Sequence, residues 1–189
     1  MSKPVTIVAG LPRSGTSVMM QMLHAGGLEA LSDQIREPDI DNPRGYYEFE
    51  AVKSLKEDTS WLPEAEDKVV KMVYRLLYDL PQGYEYRVVF TLRTLAEVIA
   101  SQEKMLQRLG SGGAEIPPEK LEAIYGRQLD AVKQWLAEQP NFKVLYVQYN
   151  DVLSAPHDVA ERLNDFLGGS LNVEAMAQVP DQSLYRNRR

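Results

Sequence analysis

The run Val5-Thr6-Ile7-Val8-Ala9-Gly10-Leu11-Pro12-Arg13-Ser14-Gly15-Thr16-Ser17, followed at once by Val18-Met19-Met20, constrains this chain more than any other stretch. β-favouring and small residues end in a glycine, a tight polar loop follows, and an apolar helix starts on its far side. Loops that bind phosphate are built this way, with successive backbone N–H groups and a helix N-terminus facing an anion. The spacing from Gly10 to Gly15 and on to Thr16-Ser17 resembles G-x-x-x-x-G-K-[ST] with one departure. Thr16 stands where the lysine belongs, and the basic residue has moved into the loop as Arg13. A plain strand-to-helix turn capped by Ser14 or Thr16 also satisfies this pattern, so the loop by itself leaves both readings open.

Composition narrows the classes of function. A chain of 189 residues with 44% apolar and 25% charged content suits one soluble α/β domain over residues 1–189, with 171–189 as a C-terminal tail. No run approaches membrane-spanning length, and Met1-Ser2-Lys3-Pro4 leads into a strand rather than a long apolar leader, so no membrane association is expected. The absence of cysteine excludes disulfides, thiolate catalysis and cysteine-ligated zinc, and fits a cytoplasmic location. A net charge of −6 argues against general nucleic-acid binding, which needs a clustered basic surface. Any anionic ligand must therefore be held by a few placed basic groups. The two histidines, His24 and His157, are far apart and lack an H-E-x-x-H arrangement, so no metal site is expected.

Along the chain, residues 15–26 read as a helix with Val18, Met19, Met22 and Leu23 on its apolar face, stopped by Gly26-Gly27. Leu28 to Leu31 suggests a short second strand. Residues 32–47 lose periodicity and are dense in turn formers and charges, a length of loop that is usually functional when ordered. Residues 48–58 look helical, and Lys68 to Val73 reads as a strand interrupted by Lys71. Arg87 to Leu92 is a continuous apolar strand of the kind parallel sheets bury, ended by Arg93. A helix follows over about 95–107, then the glycine-rich segment 109–118, which reads as a linker or a lid. A second long helix runs to about Glu138. Phe142 to Tyr149 is the last strand, and Pro156 to Leu167 a helix closed by Gly168-Gly169. Strands alternating with helices predict a three-layer, doubly wound parallel sheet, with ligands outside the carboxyl ends of its strands. That rule places Gly10 to Ser17, Lys71 and Arg93 on one rim.

These residues resemble the sulfotransferases that use 3′-phosphoadenosine-5′-phosphosulfate (PAPS), whose fold is P-loop NTPase-like. The family's first strand enters a P-[RK]-S-G-T-[ST] loop that cradles the 5′-phosphosulfate, and Pro12-Arg13-Ser14-Gly15-Thr16-Ser17 matches it throughout. Its 3′-phosphate contact, an arginine ending a core strand and a serine eight positions on, corresponds to Arg93 and Ser101. A lysine ending the preceding strand corresponds to Lys71, and a helix after the last strand to Tyr149-Asn150-Asp151-Val152-Leu153. The resemblance covers residues 4 to about 167 and is closer to bacterial and Golgi-type members, which carry arginine in the loop. A magnesium-dependent NTPase would instead need a lysine at position 16 and an acidic residue ending a core strand, where this chain has Leu92-Arg93.

The resemblance implies a division of labour. Arg13 and Lys71 would neutralise charge on the bridging oxygen and the moving sulfuryl group. Backbone N–H groups from Ser14, Gly15, Thr16 and Ser17, with the Thr16 and Ser17 hydroxyls, would hold the 5′-phosphate, and Arg93 with Ser101 would grip the 3′-phosphate. The general base would be Glu48 or Glu37, with Glu48 favoured. Basic residues near the C-terminus, Arg186 and Arg188, are candidates to complete the cofactor pocket. The acceptor is expected to be a small molecule or carbohydrate with a hydroxyl or amine, meeting either an open site or one completed by the second subunit of a homodimer. A nucleotide-dependent kinase or NTPase and a non-catalytic nucleotide-binding module remain as alternatives.

Overall fold

The computed structural model describes residues 3–33, 45, 47–108, 110 and 116–181. Four parallel strands, β1 (Val5–Gly10), β2 (Val69–Val73), β3 (Tyr86–Leu92) and β4 (Phe142–Gln148), lie side by side in the order β2-β1-β3-β4. Parallel neighbours cannot be joined by a tight turn, so the intervening chain must cross over the sheet. The crossovers carry α1 (Thr16–Ala25), α2 (Leu95–Arg108) and α3 (Pro118–Glu138), and after β4 come α4 (Tyr149–Ser154), α5 (Pro156–Leu167) and α6 (Val173–Ala177).

Every residue of β1 is buried, as a central strand covered on both faces must be. Alternate residues divide between two cores. On one face Ile7, Ala9, Val70, Met72, Val88 and Phe90 pack with Leu129, Val132 and Leu136 of α3. On the other, Val8, Val69, Val89 and Val147 pack with Met19, Met20, Met22 and Leu23 of α1 and with Val159 and Leu163 of α5. Each such side chain taken fully out of water contributes about 1.5–3 kcal/mol. The doubly wound α/β expectation therefore holds.

Three local expectations change. The second strand at Leu28 to Leu31 is reduced to one parallel bridge between Ala30 and Val69, held by Val69 N–H to Glu29 C=O (2.8 Å) and Leu31 N–H to Val69 C=O (2.9 Å). Too few apolar residues follow to extend it. The helix expected over 48–58 is a short 3-10 segment, Glu50–Ser54, whose Val52 alone is buried within it. Residues 171–181, the described part of the tail, are more regular than their weak pattern suggests. Asn172 Oδ1 accepts from Ala175 N–H at the start of α6, and Asn172 N–H donates to Gly26 C=O at 2.9 Å, so α6 docks on the end of α1. A Cβ on Gly26 would come within 2.8 Å of Met176 Cγ, which explains a glycine there.

Candidate functional site

Register sets the geometry of the rim. Gly10, the last residue of β1, lies opposite Val73 of β2 on one side and Thr91 of β3 on the other. The Ser14 and Thr91 hydroxyls share a buried hydrogen bond of 2.7 Å directly above that glycine. A Cβ on Gly10 would stand 2.4 Å from Thr91 Oγ1, 2.5 Å from Ser14 Oγ and 2.8 Å from the Thr91 carbonyl. Only glycine allows the loop to fold back this tightly.

The loop then takes two left-handed steps, at Arg13 (φ 73°) and Gly15 (φ 100°). A non-glycine residue in that region is uncommon and strained, and such strain concentrates at functional sites. Gly15 precedes α1 with no side-chain cap, and the first helical hydrogen bond is Met19 N–H to Gly15 C=O at 3.1 Å. The N–H groups of Thr16, Ser17 and Val18 thus precede the helix's own ladder and point outward at its positive end. Ser14 does not serve as expected from sequence. Its N–H donates to Leu11 C=O (3.1 Å) and its hydroxyl is held by Thr91, so it shapes the loop from within. This also removes the capping role considered for it.

The structure brings Arg13, Arg93 and Ser101 together. Arg13 Nε donates to Ser101 Oγ at 3.0 Å, and the Arg93 guanidinium donates through one terminal nitrogen to the Arg13 carbonyl at 3.3 Å. Arg93 follows β3 directly, and Tyr149 follows β4 directly. The pairing of Leu92 with Gln148 therefore sets these two next to each other. The Arg93 Cζ lies 4.6 Å from the centre of the Tyr149 ring, a cation–π stack. The same ring also closes against Gly15, where a Cβ would stand 2.4 Å from Tyr149 Cδ2. Burial raises the Tyr149 phenol pKa above its ordinary value, with Arg93 opposing. Gln102 Nε2 ties α2 to the loop through the Pro12 carbonyl at 3.1 Å, and Tyr125 of α3 donates to Gln102 Oε1 at 2.9 Å.

Tyr149, Glu97 and Gln102 were not singled out from sequence. For Glu97 a signal existed, since it stands four residues after Arg93, the spacing of a helical ion pair. Tyr149 stands at the start of the family-like helix after the last strand, but its contact with Arg93 comes from strand register, which the sequence does not give.

The carboxylates and lysine are placed differently. Lys71 lies in the middle of β2 opposite Val8, two residues short of the strand end, rather than at the rim where the resemblance put it. Apolar Val73 occupies the end and is exposed. The Glu48 carbonyl accepts from Asp33 N–H (3.1 Å) and from Ser32 Oγ (3.0 Å), which anchors Glu48 on the outer side of β2, across that strand from β1 and its loop. Glu37, Arg186 and Arg188 lie outside the described residues, as do most of 32–47 and 109–115. His24 is exposed on α1, as an ordinary surface residue, with its ring centre 6.0 Å from that of Tyr47. Beside the end of β2, a groove of about 390 Å³ runs between residues 74–79 and α3, lined by Tyr74, Arg75, Tyr78 and Gln128. Among the described residues no helix is long and apolar enough to cross a membrane.

A parallel α/β sheet whose neighbouring strands β1 and β3 bring a glycine-bounded loop and two arginines to the open end of a helix defines a class of α/β protein with the makings of an anion site at its rim. Within that class, the sulfotransferase-domain model matches residues 3–189, and the chain belongs to the sulfotransferase family. A search of curated protein sequences finds no match. Among solved structures, the fold is similar to a sulfotransferase from Alicyclobacillus acidocaldarius (15% identity, 97% of this chain and 86% of that one, TM-score 0.53). It is similar also to a sulfotransferase from Mycobacterium tuberculosis (17% identity, 100% and 72%, TM-score 0.59). A third is retinol dehydratase in complex with androsterone and the inactive cofactor PAP (18% identity, 94% and 63%, TM-score 0.50).

Proposed function

We propose that the protein transfers a sulfuryl group from 3′-phosphoadenosine-5′-phosphosulfate to a hydroxyl or amine of a small-molecule or carbohydrate acceptor. The observation that carries this reading is the convergence of Arg13, Arg93 and Ser101 on the loop at the N-terminus of α1. When bound, the donor supplies an activated sulfuryl group whose departure leaves 3′,5′-adenosine bisphosphate.

The chain's own residues fit such a group. The outward N–H groups of Thr16, Ser17 and Val18 and the Thr16 and Ser17 hydroxyls offer several donors to one phosphate, in a loop held by its own hydrogen bonds. Arg13 reaches across the loop to Ser101 and can turn from that hydroxyl to the anion, where it stabilises charge growing on the leaving oxygen. Arg93 and Ser101 hold the 3′-phosphate, a group that ATP lacks. Lys71 belongs to the strand beside the loop and would reach the sulfuryl position along its flexible stem. The proton of the acceptor goes to a glutamate, Glu48 or Glu37. The exposed ring of Tyr78, in the groove after β2, gives a ring-bearing acceptor a stacking surface. A cytoplasmic setting agrees with a sequence free of cysteine.

Calorimetry with 3′,5′-adenosine bisphosphate tests the reading. Binding in the micromolar range without magnesium, weakened at least about tenfold by Arg13→Ala, is expected; one lost charge-assisted contact accounts for that factor. Absence of binding, or a magnesium-dependent preference for ATP, would overturn it.

A further inference from the structure

We propose that Glu97 is a positioning residue: it fixes the guanidinium of Arg93 in the orientation that lets the protein distinguish a nucleotide carrying a 3′-phosphate from one without. This rests on the donor assignment above and adds the residue through which that recognition is set.

Glu97 sits in the first turn of α2 with its side chain 3% exposed, and Arg93 just before it is 8% exposed. Glu97 Oε2 accepts from Arg93 Nε at 2.9 Å. The guanidinium is planar and rigid, so contacts on different sides orient it, among them Glu97 at its Nε edge, the Arg13 carbonyl at one tip and the Tyr149 ring on its face. Without the first, the Nε edge loses the buried carboxylate that aligns it.

Two physical arguments make positioning, rather than stability, the role of this carboxylate. A buried ion pair contributes little net stability compared with an apolar pair of the same size, because both charges lose their hydration. A carboxylate beside a site for a multiply charged anion also opposes that anion by direct repulsion. Its presence at this rim is thus unfavourable for binding unless it orders the arginine that does the binding. The bracket further links the two halves of the site. The guanidinium that meets the 3′-phosphate also holds the Arg13 carbonyl, and therefore the left-handed turn of the loop.

Calorimetry on the full chain, with 3′,5′-adenosine bisphosphate and adenosine 5′-phosphate as paired probes, separates positioning from bulk structure. The wild type is expected to favour the bisphosphate. Glu97→Gln keeps the side-chain shape, and is expected to shrink that preference about tenfold or more while adenosine 5′-phosphate binding stays within about twofold. Arg93→Gln should shrink the preference as well, and the double variant should lose little beyond Arg93→Gln alone, since the two residues act as one unit. If Glu97→Gln does not fold, as judged by circular dichroism, Glu97→Asp retracts the charge by one methylene and reads the same ratio. An unchanged ratio in a folded variant, or equal weakening of both probes, overturns the inference while leaving the donor assignment intact. A wild type with no preference for the bisphosphate overturns both.

Discussion

Replacing Gly15 by alanine tests the loop geometry most directly. The residue has φ 100° and ψ 14°, and its new Cβ would meet Tyr149 Cδ2 at 2.4 Å, Cε2 at 3.1 Å and Cγ at 3.3 Å. Two costs arise. A left-handed backbone costs a non-glycine residue about 1–2 kcal/mol. Forcing a packed ring aside costs about 1–3 kcal/mol more, because Tyr149 also packs against Arg93. Gly27 separates the two, since it has φ 102° with nothing within 4 Å of its Cβ position. Gly27→Ala therefore measures the backbone cost alone. In a protein of this size each kcal/mol moves the melting temperature by about 2–4 °C, so Gly15→Ala should lower Tm by about 4–20 °C and exceed Gly27→Ala by at least about 2 °C. In a Tyr149→Ala background the excess should vanish. Thermal denaturation followed by circular dichroism reads the wild type, Tyr149→Ala and each glycine variant in both backgrounds. Equal effects at Gly15 and Gly27, or an excess that persists without the ring, would refute the packing of Tyr149 against the loop.

Other outcomes follow from the same geometry. Ser14→Ala removes the buried partner of Thr91, and should lower stability in chemical denaturation by about 1–3 kcal/mol. An unchanged midpoint would mean that this hydroxyl does not shape the loop. Burial raises the Tyr86 pKa well above 10, and its hydroxyl donates to Pro81 C=O at 2.8 Å. The folded state thus holds a proton that the unfolded chain releases above about pH 10, so this contribution to stability is full below that pH and is lost as pH rises further. Alkaline titration of Tm should fall less steeply for Tyr86→Phe than for the wild type, and parallel curves would contradict this. Lys71→Met preserves the stem within β2. On the proposed role it should reduce turnover about 10²-fold with bisphosphate affinity unchanged, whereas undiminished turnover would remove Lys71 from the chemistry.

What the sequence determined was local or periodic. The run Val5 to Gly10 is apolar or small except for β-favouring Thr6 and so reads as a buried parallel strand, and the glycines at 10 and 15 bracket a loop that no bulkier residue allows. The helices from Pro118 and Pro156 are marked by proline at their first turn, and α5 is closed by left-handed Gly168. Arg13, Arg93 and Ser101 could be chosen because their spacing matches a family's pattern, and the structure sets Arg13 3.0 Å from Ser101.

What only the tertiary structure decided depends on register and on competition for hydrogen bonds. Whether Lys71 stands at the end of β2 or within it is a matter of which residue faces Gly10, and pairing with β1 gives that place to Val73. Ser14 could equally cap a helix, face an anion or turn inward, and the nearby Thr91 hydroxyl from another strand decides for inward. Tyr149 becomes part of the rim because β4 ends level with β3, a relation between residues 56 positions apart that no local pattern encodes. Sequence periodicity reports what each segment does with its own backbone. The meeting of side chains from just beyond β1, β3 and β4 and from α2 is fixed by how the sheet aligns its strands.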